Sequence, residues 1–553
     1  MDALRNIYYF SLVKGLIIAL AFLVALNLGF GSYFWEYESF FNAMLIHEFS
    51  FPTRFDLSTN VYVSLLSLAS FINRSLNTGL GLSLVVFLLN LVALSLIIAH
   101  LLFYLKLKKT EKSSTALLII AALLLILPSQ IVILNHYISI LLAFAACLSL
   151  STIQKYDLPK PYYLLVIGIV ICSLLVRVEV ASILYPLFLI YALQFNRALV
   201  KHAIIIFTLC ISIQVIYHQA LNKHEVYGAI FSFEHEIQDR QSVNFKDMKP
   251  QDWYKYQAMG KFIIDDPNYT IYDYKEYLKH QSRLDYLLTK TLFLEAYLKK
   301  LNNLSVELSS FVGHLTFILL LILFASIHYI KNAKHQKTAI FKLIVANISL
   351  ISIPFGLSVF LICSAQIVYV IYLISGTICL IYLVKNQYLK PRLLLVSFLI
   401  LIVLNFIYIQ QLISIQNQEN EYAISLRKEI LTSVSQQETI VFSYLPDFKY
   451  YPSQLFSNDL EQHLPHYFLD LGIIYHVPSF KEYHQDFFGS SYYSLKERLM
   501  KCANNDNIVF ISTDDYNKFL LQYMAVMYGD TFEFKLIPNT TIEGAFNKYH
   551  VYY

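Results

Sequence analysis

Long apolar runs, almost free of charge and separated by short polar connections, constrain this chain more than any other feature. Of its 553 residues, 57% are hydrophobic and only 14% charged. A water-soluble domain has no use for that much apolar surface, whereas each bilayer crossing takes about 20 apolar residues. Runs near 12–31, 80–105, 115–129, 131–150, 161–176, 180–195, 202–218, 311–330, 339–362, 367–384 and 393–412 predict about eleven spans. The shorter apolar stretch at 61–72 reads as an interfacial helix. The first run lacks a small-residue cleavage site and reads as a retained helix, not a signal peptide.

The connections alternate in charge. Lys106, Lys108, Lys109 and Lys112 follow the second run, Lys155 and Lys160 the fourth, and Arg197 and Lys201 the sixth. Lys331, Lys334 and Lys337 follow the eighth, and Lys385, Lys390 and Arg392 the tenth. Basic loops stay in the cytoplasm, so this alternation, with Arg5 and Lys14, predicts a cytoplasmic N-terminus. Three large segments then fall on the outer side: 32–60, 219–310 and the tail 413–553. The expected organisation is a transmembrane core over 1–412 and an extracytoplasmic α/β domain over 413–553. The simplest compartment is a bacterial inner membrane, with the tail in the periplasm.

The tail alternates element types. Apolar residues recur at helical spacing over 419–434, and Glu438–Ser443 reads as a strand. Asn507–Ser512 reads as a second strand, 514–527 as a helix and Phe532–Ile537 as a third strand. That order predicts a small sheet with helices packed on it. The 219–310 segment reads as mostly helical, chiefly over 272–302, with a turn at Asp265-Asp266-Pro267-Asn268. Only Cys502 of the six cysteines lies outside an apolar run. That leaves neither a disulfide framework nor a thiolate zinc site outside the membrane. The net charge of +4 is too small to indicate nucleic acid as a partner.

Candidate chemistry sits where charge meets the apolar runs. Glu36 and Glu38, in Trp35-Glu36-Tyr37-Glu38-Ser39-Phe40-Phe41, follow the first run. They are either solvated loop acids or carboxylates that take a proton from an acceptor or hold a divalent cation. Arg177 and Glu179 sit in the tight gap between the fifth and sixth runs. Ionisable groups at a bilayer centre cost about 2.5–3.5 kcal/mol each, so such groups pair or face a cavity. They form either a local ion pair at an outer turn or a phosphate grip in which Glu179 orients Arg177. His136, in Asn135-His136-Tyr137, is an interfacial polar residue or a phosphate ligand. Asp56 in the first outer loop is the remaining candidate. The histidines at 224, 235, 463 and 466 lack zinc-protease spacing, so no metal site is assigned, and no Gly-x-Ser-x-Gly element marks a serine hydrolase.

This order of parts resembles the GT-C integral membrane glycosyltransferases, such as the protein O-mannosyltransferases and the lipid A aminoarabinose transferases. A first span leads to an outer loop with an acidic pair and aromatics; a polytopic core and an outer α/β tail follow. The acidic pair here is Glu-x-Glu in place of the commoner adjacent Asp-Glu, the second outer turn near Pro128–Tyr137 lacks an acid, and the long 219–310 loop departs from the common plan. The resemblance implies a polyprenyl-phosphate-sugar donor entering from the membrane lipids and a lipid, glycan or protein acceptor. It implies that Glu36 or Glu38 activates the acceptor and Arg177 stabilises the departing phosphate, with inversion at the sugar. An O-antigen polymerase or ligase shares the long outer loop but does not usually end in such a tail. A lipid transporter or non-catalytic scaffold is the third alternative, although a transporter is expected to show polar or broken helices at mid-membrane.

Overall fold

The computed structural model describes residues 2–30, 33–34, 81–107, 132–133, 135–156, 160–176, 250–260, 312–360, 365–386, 439–442, 468–470, 495–537 and 546–553. Scattered positions within 68–76, 199–212 and 396–407 are described as well. The chain is mostly helical with a small C-terminal sheet. It divides into two compact units. Met1–Phe34, Ser83–His218 and Thr289–Ile415 make the first; Trp35–Leu82, Gln219–Leu288 and Gln416–Tyr553 make the second.

In the first unit, helix α1 (Asp2–Phe30) leads into strand β1 (Tyr33–Phe34), followed by α2 (Gly81–Leu107) and strand β2 (Val132–Ile133). Next come α3 (Asn135–Tyr156) and α4 (Lys160–Val176). In the second unit, α5 (Pro250–Gly260) is the described helix of the long middle segment. The first unit resumes with α6 (Val312–Lys331), α7 (Gln336–Phe360) and α8 (Ala365–Lys385). Seven of the predicted apolar runs thus coincide with helices, although α1 begins ten residues before its run and α3 ends six beyond its own. The predicted spans at 115–129 and 180–195 lie outside the described residues. Among the described residues, Ala3–Ala25 and Ser83–Leu107 are long and apolar enough to cross a membrane, by length and composition.

The helices of the first unit run alternately. Tyr8 of α1 meets His100 and Phe103 of α2 edge-on, with ring centroids 5.8 and 5.3 Å apart, and Tyr162 of α4 at 5.3 Å. Phe103 meets Tyr156 of α3 at 5.2 Å. The beginnings of α1 and α4 and the ends of α2 and α3 therefore share one aromatic layer, and Tyr8 and Phe103 are fully buried in it. Edge-to-face rings add to their area of burial, so the layer fixes both height and rotation of each helix. Arg5, Lys106, Lys155 and Lys160 flank it in sequence, with Lys106 over the Phe10 ring and Lys155 over Tyr156.

Above the layer, α1 and α2 approach as closely as backbones allow. A Cβ on Gly15 would stand 2.5 Å from the Ser95 carbonyl oxygen and 3.0 Å from the Ala99 amide nitrogen. Polar side chains in these helices turn back on their own backbone. Ser11 donates to the Ile7 carbonyl at 2.8 Å, Asn90 to Val86 at 3.1 Å, Ser149 to Ala145 at 2.8 Å and Thr152 to Leu148 at 3.0 Å. Such i−4 bonds satisfy a hydroxyl or amide where no water is at hand.

The opposite faces are apolar and exposed. On α1 they include Phe10, Ile17, Leu20 and Leu28, and on α4 Leu164, Ile167 and Ile171. Val396, Leu399, Ile400, Val403 and Ile407 are helical and exposed at spacings that place them on one face. Exposed apolar faces of this extent mark surfaces for an apolar partner or a membrane.

The second unit is built on a five-stranded sheet. Strands β3 (Thr439–Phe442) and β4 (Phe468–Asp470) precede α9 (Leu495–Cys502). Strand β5 (Ile508–Thr513) runs into α10 (Asp514–Tyr528), and β6 (Glu533–Leu536) and β7 (Phe546–Tyr552) complete the order β4-β3-β5-β7-β6. The three predicted strands and the helix are present, while β4, β7 and α9 are additions to the sequence reading. The predicted helices at 419–434 and 272–302 and the turn at 265–268 lie outside the described residues. Strands β3, β4 and β5 are mutually parallel, and β7 closes antiparallel to both β5 and β6. Phe510, Leu520, Tyr523 and Met524 are fully buried between sheet and helix. Helix α5 packs on α10, where the Tyr254 hydroxyl donates to Gln522 Oε1 at 3.0 Å and its ring meets Phe519. Helix α5 and the tail domain are therefore packed together.

Helix α10 is capped at both ends. Thr513 Oγ1 accepts from the Tyr516 amide at 3.2 Å, and Gly529, at φ 68°, donates to the Ala525 carbonyl. Beyond the cap, Asp530 pairs with Lys496 of α9 at 2.6 Å and accepts from the Tyr553 hydroxyl at 3.1 Å. These partners hold the Asp530 carboxyl below its ordinary range and raise Lys496 above its own.

Two outcomes follow from this packing. G15A forces a methyl group into the α2 backbone and is expected to destabilise the chain by about 1–3 kcal/mol. G168A, with nothing within 4 Å of its added Cβ, is expected to be neutral or to gain up to about 1 kcal/mol from helix propensity. Thermal unfolding of the two variants in the same lipid checks the contrast. For the ion pair, the depressed Asp530 contributes stability above the ordinary carboxylate range and loses it as pH falls through its lowered value. The raised Lys496 contributes below the ordinary lysine range and loses it as pH climbs through its raised value. D530N is expected to lower the melting temperature at neutral pH and to match the parent once pH is below the Asp530 titration, as melting curves across pH will show.

Candidate functional site

Two short strands and a helical hairpin of the first unit lead toward the candidate residues, of which Glu36, Glu38 and Asp56 themselves belong to the second unit. Tyr33-Phe34 and Val132-Ile133 are β-branched or aromatic pairs, which favour extended backbone. They pair in parallel, with Tyr33 opposite Val132 and Phe34 opposite Ile133. Parallel partners leave the pair in the same direction. One chain goes on to Trp35 and the acidic segment, and the other goes on to Asn135 and His136, which open α3.

Helices α3 and α4 pack against each other and are joined by three residues, 157–159, so they run antiparallel. The hairpin returns the end of α4 toward the end at which α3 begins. At 1.5 Å per residue, Asn135 lies about 32 Å from the Tyr156 level and Val176 about 21 Å from Tyr162. The end of α4 therefore stops about 10 Å short of the start of α3, on the side of the unit opposite the aromatic layer. Arg177 is the next residue after Val176 in sequence.

Of the sequence-predicted site residues, His136 lies in the first turn of α3. Glu36, Glu38, Asp56, Arg177 and Glu179 lie outside the described residues. What the structure adds is the course of the chain up to them. Phe34, two residues before Glu36, and Ile133, three before His136, are register partners in the parallel pair. Val176 ends its helix on the same side of the hairpin. Among the described residues, no group of three His, Cys, Asp or Glu side chains is placed to hold a metal ion.

Sequence reasoning passed over Asn517. It lies one turn into α10, is only 5% exposed, and neither its Oδ1 nor its Nδ2 has a hydrogen-bond partner. An unpaired buried polar group costs about 1–3 kcal/mol. The available signal was periodicity: Asn517 occupies the face that continues with the buried Leu520 and Met524, where an apolar residue is expected.

No family model matches the chain, and no curated protein matches its sequence.

The strand register is open to a direct check. Parallel neighbours stand about 4.8 Å apart, within the range a disulfide spans. F34C combined with I133C is expected to cross-link under mild oxidation, and F34C combined with A143C is not. Mass spectrometry of the digested full chain distinguishes the linked peptide from combinations with native cysteines.

Proposed function

We propose that the chain is a multi-pass membrane glycosyltransferase. It transfers a sugar from a polyprenyl-phosphate donor to an acceptor at the outer membrane face, with inversion. The observation that carries this reading is the chain course at one end of the first unit. The acidic segment, His136 and the sequence leading to Arg177 all depart from the end opposite the basic-flanked aromatic layer. By the distribution of basic residues, that layer is cytoplasmic and the departing end is the outer one.

Membrane embedding is supported by the exposed apolar faces, by the self-satisfied polar side chains and by helix length. Tyr8 to Phe30 of α1 and Phe103 to Gly81 of α2 each span about 33 Å, close to the thickness of a hydrocarbon core. Eleven spans place the N-terminus inside and the tail outside. The three segments that loop charge assigns to the outer side, around 32–60, 219–310 and 413–553, largely coincide with the three stretches gathered in the second unit.

The chemistry needs few groups. Glu36 or Glu38 takes the proton of the acceptor hydroxyl or amine as the acceptor oxygen or nitrogen attacks the anomeric carbon. The bond from that carbon to the donor phosphate oxygen breaks, and the polyprenyl phosphate leaves with the electron pair. Arg177, oriented by Glu179, binds the phosphate as charge collects on it. His136 and Asp56 hold the sugar and the acceptor.

Replacing Glu36 and Glu38 singly by Gln is the decisive experiment. In membrane vesicles supplied with radiolabelled polyprenyl-phosphate mannose, glucose or aminoarabinose, at least one variant is expected to lose transfer by about 10²–10⁴-fold. Full activity in both variants, at equal protein levels, rejects the reading.

A further inference from the structure

The tip of the α6–α7 hairpin carries charge that neither packing nor the proposed transfer chemistry uses. Helix α6 ends at Lys331, four residues turn the chain, and α7 begins at Gln336. The turn is held by its own groups. The Asn332 amide and Nδ2 both donate to the His328 carbonyl, at 3.2 and 2.7 Å, and the Ala339 amide donates to the His335 carbonyl at 3.1 Å. Lys331, Lys334, His335, Lys337 and Lys342 thus fall within twelve residues, and all are exposed. Among the described residues, none of the four lysines is in an ion pair. The sequence supplies no local partner, because no Asp or Glu occurs between Glu307 and Glu419. By contrast, Lys106 and Lys155 of the aromatic layer already lie over rings.

The second observation is what adjoins the charge. On α6, Leu320, Leu323 and Ile327 are exposed at spacings that continue to Lys331. On α7, Lys337 is followed on one face by the exposed Phe341, Ile344 and Ile348. Each helix therefore ends an outward apolar stripe in a lysine. From Leu320 to Lys331, and again from Lys337 to Ile348, the rise is about 16 Å. That is about half of a hydrocarbon core about 30 Å thick, or one leaflet. A lysine at the border of such a stripe lays its methylenes on apolar surface and lifts its ammonium to head-group level. Tyr329 of α6 and Tyr382 of α8 meet with ring centroids 6.3 Å apart, so α8 also ends at this level.

The charge selects the head group. A zwitterionic head group brings its own cation, which four lysines without an acid repel; an anionic one does not. The first turn of α7 opens at the same tip and adds the positive end of its dipole. We propose that the α6–α7 tip binds anionic phospholipid head groups of the cytoplasmic leaflet. This rests on the membrane placement proposed above and not on the transfer chemistry.

The test uses the full chain, extracted from membranes into detergent and offered equimolar phosphatidylglycerol and phosphatidylcholine. Native mass spectrometry counts the lipids retained. The parent is expected to prefer phosphatidylglycerol, and K331Q/K334Q/K337Q/K342Q to lose that preference by about tenfold or more. The same four positions changed to arginine keep it. Equal retention of both lipids by the parent, an unchanged preference in the glutamine variant, or displacement of the lipid by millimolar glycerol phosphate overturns the proposal. Should the glutamine variant fail to fold, the parent's preference must fall with added salt, because exposed charges are screened; a preference indifferent to salt overturns the proposal as well. Release of the parent from membranes by alkaline carbonate rejects the membrane placement and this proposal together. A membrane-integral chain without lipid preference rejects this proposal alone.

Discussion

The close approach of α1 and α2 at Gly15 is the contact on which the first unit depends. Because the neighbouring atoms across it are backbone, neither helix can slide or rotate without a clash. One turn or two away, Tyr8 locks into the rings of His100, Phe103 and Tyr162. A backbone contact and an aromatic layer together leave α1 one tilt and one height. The end of α1 is then delivered to a fixed place, and β1 with it. The acidic segment inherits its starting point from a glycine about 20 residues earlier in the chain.

Polar groups within the helices follow the same economy. Serine, threonine and asparagine bond to carbonyls of their own helix, and Ser149 and Thr152 also meet the Tyr8 and Tyr104 hydroxyls of neighbouring helices. Small residues and rings then set how closely the helices pack. Polar contacts between elements occur in the second unit: Lys496 with Asp530, Tyr254 with Gln522, and Tyr549 with Asp514. They occur in the first as well, where Tyr8 reaches Ser149 and Tyr104 reaches Thr152.

Much of this was legible in the sequence because it rests on local signals. Apolar runs announce helices, and seven appear where hydropathy places them. In the tail, β3, β5, α10 and β6 were readable from strand-like runs and from Thr513 preceding two aspartates. Strand β7 was not, because Phe546–Tyr552 mixes polar and aromatic residues and becomes a strand only by pairing with both β5 and β6. The three-residue β4 carries too little sequence to announce itself. Nor was the β1–β2 pairing visible. Two residues on each side have no periodicity, and their meeting depends on helices between them. The site residues were chosen for charge at the ends of apolar runs; the structure supplies the courses of Phe34, Ile133 and Val176 toward them, which no local signal carries.

The β1–β2 pair also sets an order of events. Phe34 and Ile133 are separated by 99 positions, so the first strand must wait for its partner. At a synthesis rate of about 5–20 residues per second, that wait is on the order of 5–20 s. During it α1 and α2 are already made and can seat against each other through Gly15. The β1–β2 end of the unit therefore closes late, onto helices already made, although β1 is among the first parts synthesised.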